Sequence, residues 1–295
     1  MPMKDKTRRA KSADFDPLGT DSRVRRLLRH FALIFGAFVM LYPLIWMLVS
    51  SFKPSSRILV DPSITISDPT VENYVIGWDA LGVSFNVFFL NSLIVALACV
   101  AGNIVSCALA AYAFARLKFK GRGVYFALML ATIMLPYHAV IIPQYIMFST
   151  AGLVNTFGPL IIPKFLASDA FFIFLMVQFI RTLPKELDQA AAVDGAGVFR
   201  TFWSIILPLM KPVLATTAIF TFIWSWNDFL GPLIYLTRTR MYTAPVALNA
   251  LLDSDAQTGW GEMFAMSLVS LVPIVVFFLF VQKYLVRGIA TTGIK

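Results

Sequence analysis

Charge is what this 295-residue chain has least of: 14% of its residues are Asp, Glu, Lys or Arg, against 58% hydrophobic, and its mean hydropathy is +0.75. A soluble domain needs far more polar surface, so the composition indicates an integral membrane protein. Histidine is nearly absent, with only His30 and His138, and no group of His, Cys, Asp and Glu has metal-ligand spacing. The two cysteines, Cys99 and Cys107, fall within one apolar run, which excludes a disulfide framework and marks them as packing residues. No GxxxxGK[ST] phosphate loop occurs, so ATP hydrolysis has no place in the chain and no resident cofactor is expected. The net charge of +9 sits in clusters beside apolar runs, where the positive-inside rule accounts for it without nucleic acid. Ionisable residues within the apolar regions reduce to His138, Lys164, Asp169 and Asp228, three of them near predicted outer ends. They do not make a proton relay continuous across a membrane.

What is present is a series of uncharged runs separated by basic clusters. Residues 1–30 carry nine Lys and Arg and read as a cytoplasmic N-terminal tail. The run 31–52 is too long for a signal-peptide core and is expected to be an uncleaved first span with the N-terminus inside. Residues 53–85, polar and Pro-rich with the turn signals DPS and SDPT, suit an extracytoplasmic segment too short for a core of its own. The remaining core, 86–287, is expected to hold spans at about 88–115, 123–148, 158–180, 212–236 and 264–281, with Pro136 and Pro143 kinking the third. Residues 288–295 follow as a cytoplasmic tail.

The basic clusters Arg116, Lys118, Lys120, Arg122 and Arg181, Lys185, Arg200, Lys211 both belong inside, which places two spans between them. Twenty of the twenty-five Lys and Arg then fall in cytoplasmic segments. The expected fold is all-α and polytopic, with six transmembrane helices and both termini cytoplasmic. Within the second span Ala98, Gly102, Ser106 and Ala110 recur every four residues, the small-residue spacing that permits close helix approach. Only eleven uncharged residues separate Asp169 from Arg181, about 16 Å of helix against a hydrocarbon core of about 30 Å. Lys164 and Asp169 are therefore expected in the fourth span or at its outer end.

The connection at 184–212 is far longer than a link between two spans requires. Two short helical patterns, one ending near Val193 and one beginning near Val198, meet at a DGAG turn whose glycines permit positive φ. Beyond it Val198, Phe199, Phe202, Trp203 and Ile206 recur at helical spacing outside the bilayer core, an apolar surface that needs a partner groove or a lipid interface. This stretch resembles the EAA loop of the permease subunits of importing ABC transporters. Gln189, Ala190 and Ala191 stand in the EAA positions, Asp194, Gly195 and Ala196 match the following DGA, and Ile205, Leu207 and Pro208 match I-x-LP. The one departure is Gln189, which replaces the family's glutamate and can hydrogen-bond but cannot form an ion pair.

The resemblance implies cytoplasmic coupling helices between the fourth and fifth spans, with an ATPase contact running from Glu186 through the motif residues and Phe199, Phe202 and Trp203. Elsewhere SSFKP, PTVENY, NSLIVALA, AYAFARLKFKGR, IMLPYHAVIIPQY, WNDFLGPLIYL and QKYLVRGIATTGIK are similar to the second permease of carbohydrate importers, the MalG type. That similarity implies a MalF-type permease as heterodimer partner, two ATPase subunits that bind the ATP and Mg, an extracytoplasmic solute-binding protein, and membrane lipid around the spans. It also implies an ATPase contact for the tail residues Arg287, Gly288, Gly293 and Lys295. On the fifth span Trp224, Trp226, Asn227 and Asp228 form a candidate substrate path, the aromatic faces stacking on sugar rings and the polar edges bonding hydroxyls. An interfacial aromatic belt explains the tryptophans equally well. The implied function is ATP-driven import of an oligosaccharide or related carbohydrate at the cell inner membrane. Ion-coupled secondary transport, and glycerol-phosphate or uronate-type substrates of the same ABC architecture, stand as alternatives.

Overall fold

The structure, a computed structural model, describes residues 23–66, 68–254 and 259–292. Among these the regular structure is entirely helical. Four helical segments are long and apolar enough to cross a membrane: 27–50, 85–116, 158–182 and 260–283. Two bent pairs raise the number to six if each is one span. The described residues divide into two compact units, one up to residue 47 and the other from residue 48 onward. The first consists of most of α1 (Arg23–Ser50), a helix carrying Pro43 and the neighbouring ring pairs Phe31–Phe35 and Phe38–Tyr42.

The second unit is built around α4 (Phe85–Arg116), against which α7 (Gly158–Phe165), α8 (Ala170–Thr182) and α12 (Lys211–Trp226) pack. The small-residue stripe explains why α7 comes so close. A Cβ added at Gly102 would stand 2.8 Å from the Phe165 ring and 3.0 Å from the Lys164 backbone, and Ser106 Oγ donates to the Lys164 carbonyl at 2.6 Å. Cys99 and Cys107 are both free and buried, as their apolar setting predicts.

At the Arg116 end of α4, Cys107, Ala111 and Tyr112 bury against Phe172, Met176 and Ile180 of α8. At the Phe85 end, Phe85 and Phe88 bury with α14 (Ala244–Ser254) and the start of α15 (Trp260–Thr292). Between them Ala96, Val100, Ala218, Phe222 and Trp226 form a third cluster.

Within residues 53–85, expected to be too short for a core of their own, buried polar side chains tie the chain down. Lys53, 3% exposed, donates from Nζ to the carbonyls of Asp61 (2.9 Å) and Ser63 (2.6 Å). Asn73, in α3 (Glu72–Asp79), donates from Nδ2 to the carbonyls of Ser51 and Lys53 at 2.8 Å each. Ser55, opening the short α2 (Ser55–Ile58), lies 3.1 Å from both Asn73 Oδ1 and Glu262 Oε2 of α15. Gly261 makes this approach possible, since a Cβ there would collide with the Asn73 and Ser55 side chains. Hydrogen bonds thus do here what a segment so short cannot do with apolar burial alone.

The stretch 123–148 is not one kinked helix. It is two, α5 (Arg122–Thr132) and α6 (Tyr137–Thr150), set at 100°. Pro136, with ψ 131°, takes an extended conformation directly before α6, whereas Pro143 is carried inside that helix. The last helix begins at Trp260, ahead of the apolar run that starts at Phe264.

Candidate coupling elbow and polar cavity

Between α8 and α12 the chain leaves the bundle and folds into an elbow. It comprises α9 (Glu186–Val193), α10 (Val198–Thr201), a π-helical turn (Phe202–Ile206) and α11 (Leu207–Leu209). The two short helices stand where the sequence pattern puts them. The corner between them is a glycine-dependent helix stop. Gly195 has φ +73°, its N–H bonds the Ala192 carbonyl at 3.1 Å, and the Ala196 N–H reaches back to the Ala191 carbonyl at 2.8 Å. That is the paired bonding of a Schellman stop, which explains why the motif carries glycine after the aspartate. Gly197, at φ −70°, uses no such freedom. Replacing Gly195 with alanine costs about 1–2 kcal/mol in the left-handed region. The expected result is faster trypsin cleavage after Lys185 and Arg200 in membrane vesicles, with Gly195→Asn intermediate because asparagine tolerates this region.

Arg116, the last residue of α4, anchors the elbow. Its side chain is 6% exposed; Nη2 donates to the Leu183 carbonyl at 2.8 Å, and Nε lies 3.1 Å from Asp188 Oδ2 in α9. Tyr112, one turn earlier, donates its hydroxyl to the Val198 carbonyl at 3.4 Å and sets its ring 5.1 Å from that of Phe202. The sequence marked Arg116 only as one member of a basic cluster. Its position at the very end of an uncharged apolar run was the usable signal.

The apolar stripe divides in two. Val198, Phe199 and Trp203 are exposed, joined by Val193, while Phe202 (2% exposed) and Ile206 (0%) belong to the core shared with Tyr112 and α8. Phe202, expected on the docking surface, instead supports that surface from beneath. Ile205 and Leu207 pack against the same core, Ala191 is buried, and Glu186, Gln189, Ala190, Asp194 and Pro208 face outward, with Ala196 half-buried. Pro208 stands two residues past the end of the π-helical turn. A proline lacks the N–H for an α-helical bond and its ring crowds the carbonyl four residues back, so the widened turn relieves that conflict. Past Met210 the chain bends by 75° into α12.

A second site lies deeper. The break between α5 and α6, the turn between α7 and α8, and the break between α12 and α13 (Leu230–Tyr235) meet around a cavity of about 720 Å³. Tyr137, Gln144, Lys164, Asp169, Trp224, Ser225, Asp228 and Tyr235 are among its lining. Lys164 Nζ donates to both Asp169 oxygens, at 3.1 and 2.8 Å. Asn103 Nδ2, from the middle of α4, reaches Asp169 Oδ2 at 2.6 Å and Thr221 Oγ1 at 3.1 Å. Asp169 directly precedes α8 yet its carboxylate does not cap that helix; it is turned to Lys164 and Asn103 instead. The pair therefore sits at the level of mid-α4, within the 158–182 segment, the first of the two placements the sequence left open. The sequence signal overlooked was Asn103, an amide in the middle of an uncharged run.

Of the four residues proposed for the path, Trp224 and Asp228 line this cavity. Trp226 does not: it is 2% exposed, donates from Nε1 to the Ser270 carbonyl at 3.1 Å, and stacks on Phe222. Asn227 turns its amide to its own helix, at the Ile223 carbonyl. Asp228 Oδ1 accepts the Gly231 amide at 3.2 Å at the start of α13. Arg287 and Gly288 lie on the backbone of α15, and Gly293 and Lys295 fall outside the described residues. No group of acidic, histidine and cysteine side chains suited to a metal occurs among the described residues.

The described residues thus form an all-helical bundle with at least four helices long and apolar enough to cross a membrane, an open cavity lined by polar and apolar side chains, and an elbow with exposed apolar side chains. Residues 102–291 match the family described as binding-protein-dependent transport system inner membrane component, and the chain belongs to that family. It is a MalG-type ABC importer permease, a transporter subunit and not an enzyme. It is 34% identical to the arabinooligosaccharides transport system permease protein AraQ of Halalkalibacterium halodurans, over 88% of this chain and 93% of that protein. It is 33% identical to the trehalose/maltose transport system permease protein MalG of Thermococcus litoralis, over 91% of this chain and 98% of that one. Its fold is similar, at a TM-score of 0.76 and 22% identity, to a chain of a bacterial ABC transporter involved in the import of the acidic polysaccharide alginate. That likeness covers 89% of this chain and 98% of the other.

Proposed function

We propose that this chain is the second permease subunit of an ATP-driven importer for an oligosaccharide or related carbohydrate, paired with a MalF-type permease, two ATPase subunits and an extracytoplasmic binding protein. The observation that carries this reading is the elbow, whose exposed Val193, Val198, Phe199 and Trp203 are latched to the end of α4 by Arg116. In this reading the elbow faces the cytoplasm, both termini lie inside, and the two bent pairs complete six spans. Residues 184–212 dock in the ATPase, and the tail from Arg287 to Lys295 makes a further contact there.

Closure of the ATPase pair draws the elbows together, Arg116 and Tyr112 pass the displacement to α4, and α4 carries one wall of the cavity. Access then changes side by rigid rocking of the two permeases about their shared path. The loaded binding protein biases the switch by favouring one state. The ionisable side chains favour this reading over ion coupling. Lys164, Asp169 and Asp228 gather around one cavity and do not form a chain from face to face.

Proteoliposomes containing both permeases, with ATPases and ATP inside and binding protein outside, are expected to accumulate a carbohydrate. Uptake that persists without the ATPases and collapses with an uncoupler would overturn the proposal in favour of ion coupling.

A further inference from the structure

The cavity carries more than a path. We propose that Lys164, Asp169 and Asp228, together with Trp224 and Tyr235, form a binding subsite for one uncharged sugar unit within this chain's half of the path. The proposal rests on the carbohydrate reading above and names the substrate class.

At about 720 Å³ the cavity lies within the range of about 300–1,000 Å³ typical of small-molecule sites. Its lining includes one ammonium and two carboxylates, which leaves it with one negative charge. The ammonium is already committed, since two of its three N–H donors bond Asp169. One donor remains to meet a hydroxyl oxygen. Asp228 accepts a single backbone amide, and no basic side chain pairs with it among the described residues. Its spare lone pairs therefore call for donors, and adjacent hydroxyls on a sugar ring supply them without bringing charge.

A uronate or phosphate would meet the Asp228 carboxylate, which forms no ion pair among the described residues, in a partly desolvated space where like charges repel strongly. Flat contact is available from Trp224, 52% exposed and held from behind by Phe172 at a ring separation of 5.3 Å. Its free surface can take the apolar face of a pyranose or furanose ring. Tyr235, also lining the cavity, has a buried hydroxyl with no hydrogen-bond partner in the structure. A purely structural ion pair would be sealed from solvent, whereas Lys164 and Asp169 retain 28% and 24% exposure and open into the cavity.

The test is uptake by proteoliposomes holding the complete transporter, with arabinotriose and maltotriose as neutral probes and trigalacturonate as the acidic one. The expected result is accumulation of a neutral probe but not of trigalacturonate, with Asp228→Asn raising KM for the neutral probe at least tenfold. Trp224→Ala, at an exposed position that does not threaten the fold, is expected to raise KM at least fivefold. Accumulation of trigalacturonate equal to that of the neutral probes overturns the charge assignment. Neutral uptake with unchanged KM in both variants overturns the subsite while leaving the importer reading intact. Failure of the wild-type transporter to accumulate any of the three, with an ATPase that responds to none of them in the presence of the binding protein, overturns both.

Discussion

Phe199→Asp is expected to separate the permease from its ATPase. Phe199 is 68% exposed and lies beside Trp203 at a ring separation of 6.2 Å, outside the core that holds Phe202 and Ile206, so its loss removes contact area without collapsing the core. Aromatic anchors at the centre of an interface are typically worth about 2–4 kcal/mol, and a buried carboxylate in the same place adds a desolvation cost. ATPase affinity measured with purified subunits should fall by about thirtyfold or more, and ATP-driven uptake with it. Gln189→Ala should cost no more than about 1 kcal/mol, the worth of one neutral hydrogen bond. If the two variants came out in the opposite order, the polar contact would govern docking and the apolar assignment would fail.

Arg116→Met should leave docking in place and remove its consequence. The substitution deletes the bond to the Leu183 carbonyl and the ion pair with Asp188 while keeping apolar volume in a site that is 6% exposed. A charge-assisted bond such as that to the Leu183 carbonyl contributes about 1.5–3 kcal/mol, and the ion pair adds to it. The α9 helix would then move without pulling α4, and the expected signature is ATP hydrolysis retained above half of wild type with uptake reduced at least tenfold. Asp188→Asn should give a weaker version of the same phenotype, and the double variant should be less than additive because the two share one contact. Uptake within twofold of wild type in Arg116→Met would remove Arg116 from the linkage.

The elbow was legible because its features are local. A helix stop needs glycine at one position, a short amphipathic pattern marks each helix, and Gly195 and Val198 stand at the boundaries. The close packing of α4 was legible for the same reason, from Gly102 and Ser106. Helical spacing across 198–206 marks a stripe but not which side of it faces inward, and the π-helical turn shifts the phase partway along. That is why Phe202 was assigned outward.

The fifth span shows a related loss. Trp224 and Trp226 are two residues apart and so point to nearly opposite sides of a helix, one into the cavity and one into the core. Counting back from Arg181 left Lys164 and Asp169 either in the fourth span or at its outer end, and the structure holds them within the 158–182 segment. The turn between α7 and α8 folds these two side chains together beside Asn103, a placement that only the packing of α7 on α4 determines.

The three helix interruptions around the cavity also bear on how the subunit is set in its assembly. Interrupted helices leave amides and carbonyls without intrahelical partners, and hydrocarbon offers none. The side of the bundle bearing these interruptions therefore cannot be turned toward lipid. In the importer proposed here it must look inward, to the sister permease and the aqueous passage between them, which fixes the rotation of the whole subunit about the membrane normal. The exposed Met134 and Leu135, at the α5–α6 break, then become seam residues between the two permeases.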